Sequence, residues 1–377
     1  MPNSLWTAHD IAQAVGGHAN GDWIASGISI DSRSIENGDL FIALHVDRDG
    51  HQFVNGALRA GASGALVSDM KLVEASSPIV KCKDTMLALE NLATAARRRA
   101  ILAKRIAITG SVGKTTVKEL TASALAASGK THKSVKSYNN HWGVPLTLAR
   151  MPQDARFGVF EIGMNHAGEI SRLSPQIRPH IAAITTIAPV HIEHFHKVEA
   201  IADAKAEIFL GIERGGTALL PADNEQYERL VARARDIDGI SIQSFGQSQT
   251  ADARIVKVEN HDNHRMVQAN VFGELVEWKI NEPGNHWLNN GLCALAIVAL
   301  AGGEIEAAAS VLSNFAALDG RGSVKSIALP SGEHFTLVDE AYNANPTSVA
   351  GALDALSKRS GKRRIAVLGD MLELGTY

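Results

Sequence analysis

Residues 110–116, "GSVGKTT", place two glycines, an amine and three hydroxyls in one short run. An apolar run, "RIAIT", precedes it, and "KELTASALAAS", a stretch of helix-forming residues stopping at Gly129, follows. That order predicts strand, loop, helix. The chemistry it suits is phosphate binding. Glycine lets the backbone come close to an anion and adopt positive φ. A helix N-terminus supplies unpaired N–H groups and positive potential. Lys114 would set a charge against the outer phosphates, and Thr115 would offer a hydroxyl to Mg2+. The common phosphate loop has four residues between its first glycine and its Gly-Lys pair; here only Ser111 and Val112 intervene. A bare G-x-x-G reads as a turn, but Gly-Lys-Thr-Thr between strand and helix favours a nucleotide site.

Other candidates lie further along. Glu161 ends the strand-like "FGVFE". It is either an exposed strand-end carboxylate or a Mg2+ ligand at the mouth of a parallel sheet. His191 opens "HIEHFH", whose spacing fits neither a zinc finger nor a zincin helix. It reads as a surface-loop histidine or as a companion of Glu161 at the same sheet edge. Lys205, in the helical "IADAKAEIF", reads by physics alone as a solvated helix lysine. Asn139, Asn140, Asn290, Asn343 and Asn345 stand where amides cap helices or make turns.

The elements that must position these groups form an α/β pattern. Residues 1–82 alternate turn-rich segments with short apolar runs, as a mixed α/β domain does, and 85–100 is an amphipathic helix with a basic end. From 105 onward, strand-like runs at 157–163 and 180–187 alternate with helices, which predicts a mostly parallel sheet. Segments 252–258 and 266–280 alternate with period two and suit an antiparallel extension, and a buried helix follows over 287–301. After Gly320-Arg321-Gly322 the texture changes to strand, loop and helix, then a further strand, "RRIAVLGDM". The domains expected are 1–82, 83–320 and an incomplete 321–377.

The chain has 377 residues, 45% hydrophobic and 20% charged, with net charge −3. That is globular, and it argues against nucleic acid as the main partner. Two distant cysteines suggest neither a disulfide framework nor a zinc site and fit a reducing cytoplasm. The N-terminus lacks a signal-peptide pattern, and "GLCALAIVALAGG" is too short to span a bilayer. A monomer is expected.

Taken together the motifs resemble the ATP-dependent Mur ligases of peptidoglycan synthesis. The short loop "TGSVGKTT" is similar to the loop of those ligases and of folylpolyglutamate synthases. "NNHWGVPLTL", "FEIGMNHAGEI", "AKAEIF", "NEPGNHWLNNGLCAL", "GRG" and "DEAYNANPTS" follow in the family's order, and "DSRSIENGDLFIAL" with "DGHQF" matches its N-terminal substrate domain. The resemblance runs from about residue 25 to the end. It implies a three-domain architecture: an N-terminal α/β domain for UDP-MurNAc-peptide, a central P-loop domain with a mostly parallel sheet, and a Rossmann-like C-terminal domain that is incomplete here.

The resemblance also implies roles. Thr109, Gly110, Ser111, Val112, Gly113, Lys114, Thr115 and Thr116 would bind ATP, with Asn290 near the adenine and Arg321 and Asp339 on the nucleotide. Thr115, Glu161 and His191 would hold Mg2+. Lys205 matches a lysine that is carbamylated in the family, where the carbamate holds a second Mg2+. Lys114, Glu161, His191 and Lys205 would be the catalytic set. Asp31, Ser32, Arg33, Asn139 and Asn140 would contact substrate. "YNANP" and "GDMLELG" point to the branch that joins D-Ala-D-Ala to UDP-MurNAc-tripeptide through an acyl phosphate. The ligase adding the third amino acid and the folylpolyglutamate synthases are the near alternatives, and a nucleotide-dependent switch is the alternative from another class. Departures from the family pattern include Thr186-Ile187-Ala188 where Asn-Ile-Gly is frequent, Trp287 where Asn is common, Ala341 for a frequent Ser, and a shorter loop in "ALHVDRDGH".

Overall fold

The computed structural model describes residues 4–46, 48–135, 137–190, 192–372 and 374. The chain divides into two compact units, one of residues 1–103 and 138–155, the other of 104–137 and 156–377.

The first unit is built on a five-stranded sheet. Its strands run in the order His18–Asn20, Ile79–Lys81, Gly64–Val67, Asp39–Ile42, Gly27–Ser29. All pairs are parallel except His18–Asn20 with Ile79–Lys81. The inner strands "DLFI" and "GALV" are buried on both faces, as parallel strands must be when covered on each side. The helix Thr85–Arg99, capped by Asp84, shares a core with the inserted helix Gly143–Ala149. The Trp6 indole ties the two together: its N–H donates to Ala149 O at 2.9 Å, and the Arg99 guanidinium stacks over the ring at 3.7 Å.

The second unit carries a nine-stranded sheet in the order Glu274–Ile280, Arg265–Val271, Ala253–Asn260, Ser241–Gly246, Thr217–Pro221, Ile181–Ile184, Lys104–Thr109, Phe157–Glu161, Thr131–Lys133. From Thr131–Lys133 to Ala253–Asn260 every neighbouring pair is parallel; the last two pairs are antiparallel. The mostly parallel sheet and its antiparallel extension are as the sequence pattern implied. The helices Lys114–Ala126, His286–Leu300 and Ile305–Ser313 contribute to one core with the sheet, including Ile106, Phe157, Phe245 and Trp278. Each such large side chain, once buried, contributes about 1.5–3 kcal/mol.

Strand order reverses around Lys104–Thr109. The next two strands of the chain, Thr131–Lys133 and Phe157–Glu161, lie on one side of it, and Ile181–Ile184 lies on the other. At such a switch point the loops leave the carboxyl ends of the strands in opposite directions and open a crevice for ligands. Residues 110–113 and Glu161 both lie at that edge.

The C-terminal part is thinner. Ser323–Ala328 pairs antiparallel with His334–Asp339, and the helix Pro346–Lys358 starts with an Asn345–Ser348 capping box and a proline in its first turn. None of that helix's residues is buried. The strand expected at "RRIAVLGDM" does not form: residues 363–371 have no regular structure, and Val367 is 93% exposed. A strand needs a ladder partner for its N–H and C=O groups, and among the described residues none pairs with this segment. Among the described residues, no helix is long and apolar enough to cross a membrane.

Candidate active site

The loop after Lys104–Thr109 needs its two glycines. Gly110 has φ 151° and Gly113 φ 85°, and Gly113 is the N-cap of the helix Lys114–Ala126. A Cβ on Gly110 would lie 1.9 Å from Thr185 Oγ1, and one on Gly113 would lie 2.7 Å from Asn290 Oδ1. Both are closer than real Cβ contacts, so the close spacing of the glycines is built into the packing.

The segment after Ile181–Ile184 lashes the loop down. Thr185 N donates to Thr109 O at 2.9 Å, Thr185 Oγ1 to Val112 O at 2.6 Å, and Ser111 N to Thr186 O at 2.8 Å. Ser111 Oγ donates to Ala188 O and accepts from Ala188 N, each at 2.9 Å. Thus Thr186-Ile187-Ala188, a departure from the family pattern, performs the holding with backbone groups. Thr109 and Thr116 are buried beside this loop.

Lys114 turns back over the loop, its Nζ donating to Gly110 O at 2.8 Å and Ser111 O at 3.4 Å. Burial lowers its pKa, the Glu161 carboxylate opposes that shift, and Arg321 adds to it. Thr115 Oγ1 donates to Glu161 Oε2 at 2.8 Å and lies 3.4 Å from Ser137 Oγ. Glu161 is 1% exposed, which removes the exposed strand-end alternative. A hydroxyl and a carboxylate brought together behind a phosphate loop are hard oxygen donors, and they fit Mg2+ rather than a soft metal. Among the described residues no group of three or more His, Cys, Asp or Glu side chains is arranged to hold a metal. His191 lies outside the described residues; its neighbours His194 and His196 are exposed, as expected for that loop.

Lys205 overturns its residue-level reading. It is not a solvated helix lysine but 1% exposed, in the last turn of Val198–Ala206. Amphipathic spacing could not reveal this, because the helix buries Ile201, Ala202, Ala204 and Ala206 around the lysine. Burial drives its pKa well below the usual lysine range, and the Lys114 charge pushes it further down. Among the described residues no carboxylate pairs with it.

Asn290 is buried in His286–Leu300, its amide against Gly113. Its role there is not to cap. Arg321 stacks on the Tyr342 ring at 4.0 Å and reaches Ser137 Oγ at 3.4 Å. Asp339 pairs with Ser323 beside it; its backbone carbonyl accepts from Gly322 N at 2.8 Å and its carboxylate from Ala341 N at 3.0 Å. The structure therefore gathers the loop, Glu161, Asn290 and Arg321, with Asp339 paired to Ser323, two residues beyond Arg321 in the chain.

In the first unit, Asp31 caps the 3-10 turn Ser32–Ser34. Its carboxylate accepts from Arg33 N at 3.0 Å and from the Arg33 guanidinium at 2.9 and 2.8 Å. The Arg33 side chain is otherwise exposed. Asn140 Oδ1 accepts from Gly143 N at 2.9 Å, a turn before the helix Gly143–Ala149, and Asn139 precedes it.

Some contributors carried no signal in the sequence. Ser134 Oγ accepts from Glu161 N at 3.3 Å, and the fully buried Lys118 donates to Ser134 O at 2.9 Å. Ser137 and Thr185 act as described above. Isolated hydroxyls in loops have no spacing by which to be found.

A glycine loop at the switch point of a parallel sheet, with Thr115 and Glu161 paired behind it, defines a P-loop nucleotide-binding domain. The Mur ligase middle domain matches residues 108–298. Over 371 residues the chain is 32% identical to the UDP-N-acetylmuramoyl-tripeptide–D-alanyl-D-alanine ligase of Rickettsia prowazekii (strain Madrid E), covering 98% of this chain and 81% of that protein. It is 33% identical to the enzyme of the same name from Escherichia coli (strain K12), covering 98% of this chain and 80% of that one. A crystal structure of MurF from Acinetobacter baumannii superposes with a TM-score of 0.84 at 30% identity, covering 100% of this chain and 81% of that one. The chain belongs to the Mur ligase family.

Proposed function

We propose that this protein is the cytoplasmic, monomeric ligase that joins D-Ala-D-Ala to UDP-MurNAc-tripeptide, with ATP and Mg2+. The observation that carries the chemistry is the Thr115–Glu161 pair behind the glycine loop, with Lys114 folded over it. The names of the relatives support the choice of substrates. In this reading residues 1–82 hold the UDP-sugar end through Asp31, Ser32 and Arg33, residues 83–320 bind ATP, and residues 321–377 belong to a ligase domain. Asn139 and Asn140 contribute to substrate binding.

A carboxylate is a poor acyl donor, so the reaction must first activate it. A peptide carboxylate oxygen attacks the γ-phosphorus, the bond from that phosphorus to ADP breaks, and an acyl phosphate forms. The D-Ala-D-Ala amine then attacks the acyl carbon and loses a proton, and the carbon–oxygen bond to phosphate breaks. The protein's task is positioning and stabilising negative charge. Lys114 exchanges its two carbonyl partners for phosphate oxygens. The residues from Thr109 to Thr116 cradle the phosphates, Asn290 faces the base, and Arg321 and Asp339 meet the nucleotide. Mg2+, when bound, neutralises the charge that accumulates on the phosphate oxygens; Thr115, Glu161 and His191 would hold one ion, and carbamylated Lys205 would help hold a second.

Burial supports the carbamate. A lysine held neutral can attack CO2: a nitrogen–carbon bond forms, one proton leaves, and a would-be cation becomes a carboxylate. The change suits a site that binds cations, and burial of Lys205 beside Lys114 favours the neutral amine.

Phosphate release measured with each substrate omitted tests the proposal. Turnover should require both UDP-MurNAc-tripeptide and D-Ala-D-Ala. Turnover with the dipeptide precursor and diaminopimelate instead, or turnover indifferent to both substrates, would overturn it.

A further inference from the structure

Glu207 lies two residues beyond Lys205, just past the helix Val198–Ala206. Its carboxylate reaches away from that helix to the start of another. Oε1 accepts from Gly168 N at 2.7 Å, and Oε2 accepts from Ser171 N at 2.9 Å. Gly168 is the N-cap of Glu169–Ile177, and a glycine has no side chain with which to cap. Glu207 therefore supplies from outside the carboxylate that a helix N-terminus needs, through two charge-assisted hydrogen bonds.

The contact continues beyond the carboxylate. Ser174 Oγ donates to Ile208 O at 2.5 Å, and a Cβ on Gly211 would lie 2.3 Å from the Ser174 carbonyl carbon. The residues from Glu207 to Gly211 are thus pressed against Glu169–Ile177. The other end of this connection is Glu161. Only the loop 162–168 separates Glu161 from the capped helix, and Glu169 closes that loop by accepting from Asn165 N at 2.8 Å. A short chain of fixed contacts therefore runs from Glu161 through the loop to Glu207 and back two residues to Lys205. Elsewhere on the helix Val198–Ala206, Asp203 is held by Arg229 and Arg233, which reach it at 2.8–2.9 Å.

We propose that Glu207 is a positioning residue: by capping Glu169–Ile177 it docks the Lys205 helix onto the loop that follows Glu161 and fixes the separation of the two cation-holding groups. The inference rests on the reading of Lys205 as a carbamate that helps hold Mg2+.

The test compares Glu207→Ala, Glu207→Gln and, as a control on the other anchor, Asp203→Asn. Three quantities are read: the carbon-13 NMR signal of a carbamate formed from labelled bicarbonate, the Mg2+ concentration giving half-maximal turnover, and the midpoint of thermal unfolding. Glu207→Ala should lose most of the carbamate signal and raise the Mg2+ requirement about tenfold, the effect of removing an outer-shell partner. Glu207→Gln keeps an acceptor oxygen and should fall between wild type and Glu207→Ala; it carries the test if the alanine variant fails to fold. Asp203→Asn should lower the unfolding midpoint without moving the other two. A Glu207 variant that unfolds earlier yet keeps the wild-type carbamate signal and Mg2+ requirement would overturn the proposal and leave an ordinary cap. If wild type itself gives no carbamate signal, the Lys205 reading fails, and the Mg2+ requirement alone decides: no shift in the Glu207 variants overturns the positioning role as well.

Discussion

Two lysines that repel one another electrostatically stand under opposite conditions. Lys114, in the phosphate loop, has two backbone carbonyls for its ammonium, and Glu161 opposes the loss of its proton. Lys205, near the end of Val198–Ala206, is enclosed by apolar residues and feels Lys114 as a like charge. Both are depressed by burial, but only one is compensated. The compensated lysine keeps acceptors for its ammonium, which phosphate oxygens could replace. The uncompensated one is pushed towards the free amine, the form able to react with CO2. Chemistry assigned to a lysine thus depends on what surrounds its nitrogen more than on its place in a motif.

Substituting each lysine by methionine should separate the two cases. Lys114→Met removes the charge aimed at the phosphates, and turnover should fall by about 10³-fold; near-normal phosphate release would remove its role. Stability should stay level or drop, because Gly110 O and Ser111 O lose their donor. Lys205→Met should also cost turnover, on the order of 10²-fold, with a short carboxylic acid restoring part of it and bicarbonate restoring none. Its effect on folding should have the opposite sign. In CO2-free buffer the variant should be more stable than wild type, since it removes the cost of burying an amine next to the Lys114 charge.

The pH dependence follows from the same shift. The folded pKa of Lys205 lies below its unfolded value, so the unfolded chain binds more protons between the two. Its destabilising effect is full below the folded pKa and fades as pH rises towards the ordinary lysine range near 10.5. The advantage of Lys205→Met in chemical denaturation should therefore shrink between pH 7 and pH 10. An advantage that grows over that range would mean that Lys205 is stably charged in the fold.

Smaller effects sharpen the contrast. Thr115→Val removes the hydroxyl that meets Glu161 and should raise the Mg2+ requirement about tenfold with little change in KM for UDP-MurNAc-tripeptide. Arg33→Ala removes an exposed guanidinium held by Asp31 alone. It should leave the unfolding midpoint unchanged and raise KM for UDP-MurNAc-tripeptide a few-fold; a shift in ATP KM instead would argue against a substrate role.

The phosphate loop was legible because its chemistry is local. Two glycines, a lysine and three hydroxyls within seven residues, after an apolar run and before a helical one, carry their meaning in the spacing. The sheet was legible for a related reason: strands buried on both faces read as continuous apolar runs, and the hairpin Arg265–Val271 with Glu274–Ile280 reads as alternation. The burial of Lys205 was not legible in the residues, because it depends on partners distant in sequence, and a role for it was implied only by the resemblance to a family. Ser134, Ser137, Thr185 and Glu207 were not legible at all. Each acts through a backbone group or a single contact that no periodicity records. The strand expected after Arg363 failed for the same reason in reverse: apolar residues suffice to suggest a strand, but only a pairing partner makes one.

We propose that the site activates a peptide carboxylate as an acyl phosphate. The direct test labels the terminal carboxylate of UDP-MurNAc-tripeptide with oxygen-18 and follows the label through one ligation with D-Ala-D-Ala and ATP. One labelled oxygen is expected in each released phosphate, carried from the carboxylate to the phosphorus and out with the leaving group. Ligated product accompanied by unlabelled phosphate would contradict it.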